Sequence, residues 1–201
     1  MRATSRFAAA CSHRCPATSR RWAPASPYAI AAKFAFPDRA VFALVGDGAM
    51  QMNGMNELIT LEKYRRDWRD QRFVVLVLNN RDLNEVTWEM RVMEGDPKFE
   101  ASQDLPDVSY AEYAELIGLR GIKVERPEQI GPAWDEALRA DRPVVLEAIT
   151  DPDVPPLPPH ITLDQAKAFT SSVLKGDVDR LGIAKQAVKE IVAGVVPGRS
   201  S

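Results

Sequence analysis

Apolar residues fall along this chain in short continuous runs separated by stretches with helical spacing. Val41-Phe42-Ala43-Leu44-Val45 and Phe73-Val74-Val75-Leu76-Val77-Leu78 are rich in β-branched residues and bounded by Gly, Asp and Asn. That is the pattern of strands buried on both faces of a parallel sheet. Glu57, Leu58, Ile59 and Leu61 lie between them at helical spacing and mark a crossover, followed by a polar loop over 64–72. A short strand is predicted over 121–124 and a last one over 143–149. Helices are predicted over 27–36, with Ser26 as N-cap and Pro27 at N1, and over 108–116, with Ser109 near its start and Gly118 past its end. A further helix over 128–140 places Ile130, Trp134, Ala137 and Leu138 on one face. Residues 95–106 carry Pro97, Gln103 and Pro106 without periodicity and read as a loop. Strands alternating with helices of this length predict an α/β fold, a three-layer parallel sheet with helices on both faces.

The tail departs from this pattern. Residues 151–160 are rich in proline, which suits neither helix nor sheet interior, and predict an extended surface segment. Thr162-Leu163-Asp164-Gln165 reads as a capping box opening a helix to about Lys175, closed by Gly176. A second tail helix is predicted from Asp177, with Ile183, Ala187, Val188, Ile191 and Val192 on one face. His160, following two prolines, reads as structural. The expected organisation is an N-terminal segment over 1–26, a ligand-binding domain over 27–150, and a Pro-rich linker with C-terminal helices over 151–201.

With 45% apolar and 27% charged residues and a net charge of −2, the composition is that of a globular domain. It offers no electrostatic footprint for nucleic acid. No apolar run reaches the roughly 20 residues of a membrane-spanning helix. Cys11 and Cys15 both precede the first predicted helix, so the folded part has no thiols and no disulfide framework. A cytoplasmic location is the expectation.

The candidate chemistry lies where the first two strands end. Strand one stops on Gly46-Asp47-Gly48-Ala49 and strand two on Asn79-Asn80. Both finish at the same sheet edge, where open α/β sheets bind ligands, so Asp47 and Asn80 are expected close together, each presenting oxygen. Oxygen suits Mg²⁺ or Ca²⁺, and Mg²⁺ is commonly shared with a substrate's phosphates. The glycines are expected to let the backbone turn sharply, and the following helix to point N–H groups at an anion. A diphosphate-plus-metal site follows, with a plain nucleotide-binding unit as the alternative. Met50, Met52 and Met55 read as packing residues.

Gly46-Asp47-Gly48 followed by Asn79-Asn80 resembles the thiamine-diphosphate motif, GDG, a spacer, then NN. GDGAMQMNGMNELIT and VVLVLNNRDLNEVT resemble the branch of that family acting on 2-oxo acids, which includes acetolactate synthases and pyruvate oxidases. The spacer is several residues longer than the family usually shows, with the surplus in the 64–72 loop, where extra length costs little. The resemblance implies thiamine diphosphate and Mg²⁺ as cofactors. It implies Gly46, Asp47, Gly48, Ala49, Asn80, Asp82, Leu83 and Asn84 as cofactor-binding residues, with Asp47, Asn80 and Asp82 as the metal set. At Asp82 it implies the position, often through the backbone carbonyl, rather than the carboxylate. Glu85 and Trp88 stand where the family builds the pocket wall; a short amphipathic helix with exposed Glu and buried Trp explains them equally.

Family enzymes take the aminopyrimidine half of the site, and the glutamate that starts the chemistry, from another domain or subunit. Nothing in this sequence matches that domain, so no catalytic residue is assigned here. The expectation is a truncated piece of an enzyme acting on a 2-oxo acid, homo-oligomeric when complete. One subunit of a split enzyme, and a non-catalytic diphosphate-binding module, are the alternatives. Residues 1–26 hold Arg2, Arg6, Arg14, Arg20 and Arg21 and no acidic residue. They read as a transit peptide, as an incomplete metal site at Cys11, His13 and Cys15, or as an out-of-frame translation. For the last, a one-base shift of a GC-rich back-translation of residues 15–26 produces LSGNLATMGPGV, similar to the glycine-rich segment the family carries before this helix.

Overall fold

A computed structural model describes residues 25–154, 163–179 and 181–182. The readings of Cys11, His13, Cys15, Pro155 to Thr162 and the helix beyond Gly182 lie outside the described residues. Within them the elements are α1 (Ala25–Ala35), β1 (Val41–Gly46), α2 (Asp47–Ala49), a π-helical stretch (Met50–Gly54), α3 (Met55–Tyr64), β2 (Phe73–Asn79), α4 (Asn84–Glu89), a second π-helical stretch (Met90–Glu94), α5 (Glu100–Gln103), α6 (Tyr110–Leu116), β3 (Arg120–Val124), α7 (Ile130–Arg139), β4 (Val144–Ile149) and α8 (Leu163–Leu174). The chain divides into two compact units. One takes the described residues to Asn79 with Asp107–Thr150; the other takes Asn80–Pro106 with the described residues from Asp151 onward.

The first unit holds the sheet. Its strands run in the order β1-β2-β4-β3, all parallel, with Val41 opposite Phe73 and Gly46 opposite Leu78, Val74 opposite Val144 and Val124 opposite Ala148. Side chains alternate across the pleat. Val41, Ala43, Val45, Val75, Val77 and Val145 therefore face one layer, with Ile30, Leu58, Leu61, Tyr110 and Ala114 from α1, α3 and α6. Val74, Val144 and Leu146 face the other, against Ala133 and Ala137 of α7. Helices thus cover both faces, as the alternation of elements predicts, but unequally: Leu44 is 65% exposed. The α6 backbone lies so close to β3 that a Cβ on Gly121 would stand 1.9 Å from the Ala111 carbonyl oxygen. Only glycine permits that approach.

Several local expectations are corrected. Ser26 does not cap α1, because Ala25 before it is already helical and its buried hydroxyl has no hydrogen-bond partner among the described residues. Ser109 does stand at the start of α6, as expected, though without a side-chain capping bond. The 64–72 loop is not merely polar: Trp68 is buried and lies 6.1 Å, stacked, from Phe73. The loop over 95–106 contains the helical turn α5. On α7 the buried pair is Ala133 and Ala137, while Ile130 and Leu138 face solvent; the helix offers small residues to the sheet at i, i+4. Gly118, at φ 93°, ends α6 in the left-handed region, as predicted.

In the second unit, α4 and the π-helical stretch after it pack on α8. Trp88 stacks on Phe169 at 6.0 Å and joins Val92 in a small apolar cluster. Charge does the rest. Arg91 reaches Asp177 through Nε and Nη2, both at 2.8 Å, and Asp179 at 2.8 Å. The α8 helix stops near its predicted end, with Gly176 at φ 95°. Asp177 is fully buried against Arg91 and accepts the Asp179 N–H at 3.0 Å, and residues 181–182 are helical.

Candidate functional site

Strand β1 hands over directly to helix at its C-terminal end. Gly46 has extended dihedrals (φ −76°, ψ 156°) and Asp47 is the first residue of α2. Neither Gly46 nor Gly48 takes a positive φ, so the sharp strand-to-helix turn is made without glycine's left-handed region. What Gly46 provides is space, since nothing lies within 4 Å of where its Cβ would be. Asp47 is 4% exposed, and its Oδ1 accepts the Gly48 N–H at 2.8 Å. Gly48 is buried and Ala49 half-buried. The helix runs on from Asp47 through the π-helical stretch to Tyr64, so its first N–H groups open at the strand edge, an arrangement that suits anions. Met50 is wholly buried and Met55 partly so, whereas Met52 is exposed; only the first two serve packing.

Strand β2 ends on Asn79, and the chain continues into the second unit with Asn80. Arg81 stands at φ 59°, the one described non-glycine residue with positive φ. Such strain gathers at functional sites. The turn is tied by the Asp82 N–H, which donates to Asn80 Oδ1 at 3.1 Å. Asp82 is buried and its carboxylate serves this unit. Oδ1 accepts from Thr87 Oγ1 at 3.0 Å and pairs with Lys98 Nζ at 3.2 Å, while Oδ2 accepts from Asn84 Nδ2 at 3.3 Å. Lys98 also pairs with Asp104 at 2.7 Å. Burial opposes its charge, yet Asp104 and Asp82 hold its ammonium above the usual lysine range. Leu83 donates its N–H to the Gln103 carbonyl, and Asn84 opens α4, donating to the Pro152 carbonyl at 2.7 Å. Glu85 is exposed and Trp88 buried, which is the amphipathic-helix reading.

Two further residues stand behind the strand ends in the first unit. Tyr110 donates its hydroxyl to the Asp47 carbonyl at 3.2 Å and accepts from Gln51 Nε2 at 3.0 Å. Burial pushes its phenol up to about 12. Glu147, buried in β4, accepts from Asn79 Nδ2 at 2.8 Å and from the Ala111 N–H at 3.0 Å. Periodicity singled out neither for chemistry, although an acid in the middle of Val144-Val145-Leu146-Glu147-Ala148-Ile149 is a signal. Among the described residues no group of three or more His, Cys, Asp and Glu is placed to hold a metal, and no helix is long and apolar enough to cross a membrane.

The residues present fit a diphosphate: a helix start, open space at Gly46 and a carboxylate beside it. Comparison with known proteins agrees. The family described as "Thiamine pyrophosphate enzyme, C-terminal TPP binding domain" matches residues 23–148. A thiamine pyrophosphate-containing protein of Bacillus subtilis is 39% identical over 149 residues, covering 74% of this chain and 24% of the relative. The large subunit of acetolactate synthase isozyme 3 from Escherichia coli is 33% identical over 129 residues, covering 62% of this chain and 21% of the relative. Among solved structures, the thiamine diphosphate-dependent 4-hydroxybenzoylformate decarboxylase of Rhodococcus jostii RHA1 superposes with a TM-score of 0.54 at 29% identity, over 62% of this chain and 22% of that one. The chain spans about a quarter of the length of the curated relatives it matches. Since the matched span runs through the whole parallel sheet and both motif halves, this chain belongs to the thiamine pyrophosphate enzymes, of which it carries the C-terminal TPP-binding domain.

Proposed function

We propose that this domain holds the diphosphate of thiamine diphosphate through Mg²⁺, within a larger enzyme acting on 2-oxo acids as acetolactate synthases and pyruvate oxidases do. In this reading Asp47, Asn80 and the backbone at Asp82 serve the metal. Gly46, Gly48, Ala49, Leu83 and Asn84 line the diphosphate. The buried Asp47 carboxylate at the head of a helix on the strand edge carries the proposal. Engagement of the Asp82 carboxylate by Lys98, Thr87 and Asn84 favours its backbone over its side chain. Once bound, the cofactor supplies an electron sink for breaking the bond next to a carbonyl; the residues here bind and orient it. The aminopyrimidine half of the site comes from another domain or subunit, so the chain is a piece of a cytoplasmic, oligomeric enzyme and inactive alone. Different reactions are named among the relatives, so the particular 2-oxo acid is left open.

Calorimetric titration with thiamine diphosphate, with and without Mg²⁺, tests this. Binding is expected only with the metal, and Asp47→Ala is expected to remove it while leaving the circular dichroism spectrum and melting temperature near those of the parent. An Asp47→Ala variant that binds as tightly as the parent removes Asp47 from the site.

A further inference from the structure

The first turn of α6 meets both strand ends of the first unit. From it, Tyr110 (0% exposed) donates to the Asp47 carbonyl at the end of β1. One residue on, the Ala111 N–H donates to Glu147, whose other oxygen receives the side-chain amide of Asn79 at the end of β2. The same amide reaches the Val108 carbonyl, just before α6, at 3.4 Å. The tight approach at Gly121 sets α6 where these bonds can form. Glu147 and Asn79 are each 1% exposed. A buried carboxylate is costly to fold, and an aliphatic residue would fill the layer without it. Packing therefore does not explain Glu147; its two hydrogen bonds do, one to Asn79 at the end of β2 and one to the first turn of α6.

We propose that Tyr110 and Glu147 are positioning residues, which with the first turn of α6 clamp the ends of β1 and β2 at Asp47 and Asn79 and so set the geometry of the cofactor-binding segments that leave them. The clamp itself is a property of the polypeptide; its consequence for affinity rests on the proposed Mg²⁺–diphosphate role of Asp47.

The test compares the full chain with Tyr110→Phe, Glu147→Gln and a control, Leu119→Ala, which opens a cavity in the same layer beyond the far end of α6, away from Asp47 and Asn79 in the hydrogen-bond network. Tyr110→Phe keeps the ring and removes only the hydroxyl bonds. In Glu147→Gln the fixed Ala111 N–H takes the amide oxygen, so the new NH₂ faces Asn79 and forces its amide to turn over against the Val108 carbonyl. Two readouts are taken where every variant is folded: amide NMR signals of the ligand-free protein, and Mg²⁺-dependent titration with thiamine diphosphate. Tyr110→Phe is expected to move the Asp47 and Gly48 signals, and Glu147→Gln those of the Asn79 side-chain amide. Each is expected to weaken binding about ten-fold, the scale of lost outer-shell support. Leu119→Ala is expected to lower the melting temperature and leave both readouts alone.

Unmoved strand-end signals in both variants overturn the clamp. Moved signals with parental affinity overturn the positioning role, as does an equal loss of affinity in Leu119→Ala. If the parent binds no thiamine diphosphate yet the signals move in the two variants and not in the control, the clamp stands and the cofactor reading falls. Should Glu147→Gln fail to fold, Asn79→Ala takes its place with the same expectations for the neighbouring backbone signals.

Discussion

Both units bury charged groups, but they satisfy them in different ways. In the sheet-bearing unit the buried charges are held largely by neutral partners: Lys33 donates to the Arg39 and Arg72 carbonyls, and Glu147 accepts from two amides. Around them lies a large apolar core on both faces of the sheet. Among the described residues of the second unit, Trp88, Val92 and Phe169 form the apolar cluster, and the buried charges meet each other, Arg91 with Asp177 and Lys98 with Asp82. Paired charges of this kind are directional and fix a specific geometry. Such bonds fail differently. Removing methylenes leaves a cavity, whereas removing one partner of a buried ion pair leaves a charge without its counter-charge.

The strongest way to break the comparison is Arg91→Met. It strands the buried Asp177 and should cost the second unit about 3–5 kcal/mol. Hydrogen exchange should show α4 and α8 losing protection ahead of β2 and β4. If their protection is unchanged, the ion pairs do not hold this unit. In the sheet-bearing unit, Leu61→Ala should cost about 2–5 kcal/mol through lost burial and the cavity left behind, read by equilibrium denaturation; there protection of β1 and β2 should fall.

Acid should separate the two units further. Burial opposes the charge on Asp177, but the Arg91 hydrogen bonds and the Lys98 N–H hold its carboxyl below the usual aspartate range. A depressed folded-state value contributes stability that is present above the unfolded value, near 4, and lost as pH falls through the folded one. Near-ultraviolet circular dichroism of the Trp88–Phe169 pair should therefore change below about pH 4. In Asp177→Asn that acid limb should flatten, because the titrating group is gone. The smallest effect is expected on the surface. Asp135→Ala removes the exposed Arg139 partner at 3.3 Å and should alter stability by no more than about 0.5 kcal/mol.

Strands β1 and β2 were legible in the sequence because each is a continuous apolar run that stops on Gly, Asp or Asn, whereas β3 and β4 are short runs interrupted by Lys123 and Glu147. Asp47 was legible for the same reason: the run over 41–45 ends beside it. Ser26 misled because capping is read from one neighbour, whereas the helix already includes Ala25. Trp68 misled because its neighbours in the chain are charged while its neighbours in space are Phe34 and Phe73. Glu147 stood out as an acid inside an apolar run, but what it and Tyr110 bind had no local signature. Their partners lie 63 positions away for Tyr110 and Asp47, and 68 for Glu147 and Asn79.

By itself, then, the sequence determined the parallel α/β class, the position of the strand ends and the residue types gathered there, since those follow from local periodicity and turn chemistry. Tertiary structure alone decided three things: that Asp82 gives its carboxylate to Lys98, that Arg81 takes a left-handed turn, and that α6 reaches both strand ends. These depend on which distant groups share a buried space, where an unpaired donor or acceptor is costly. Linear spacing does not record that.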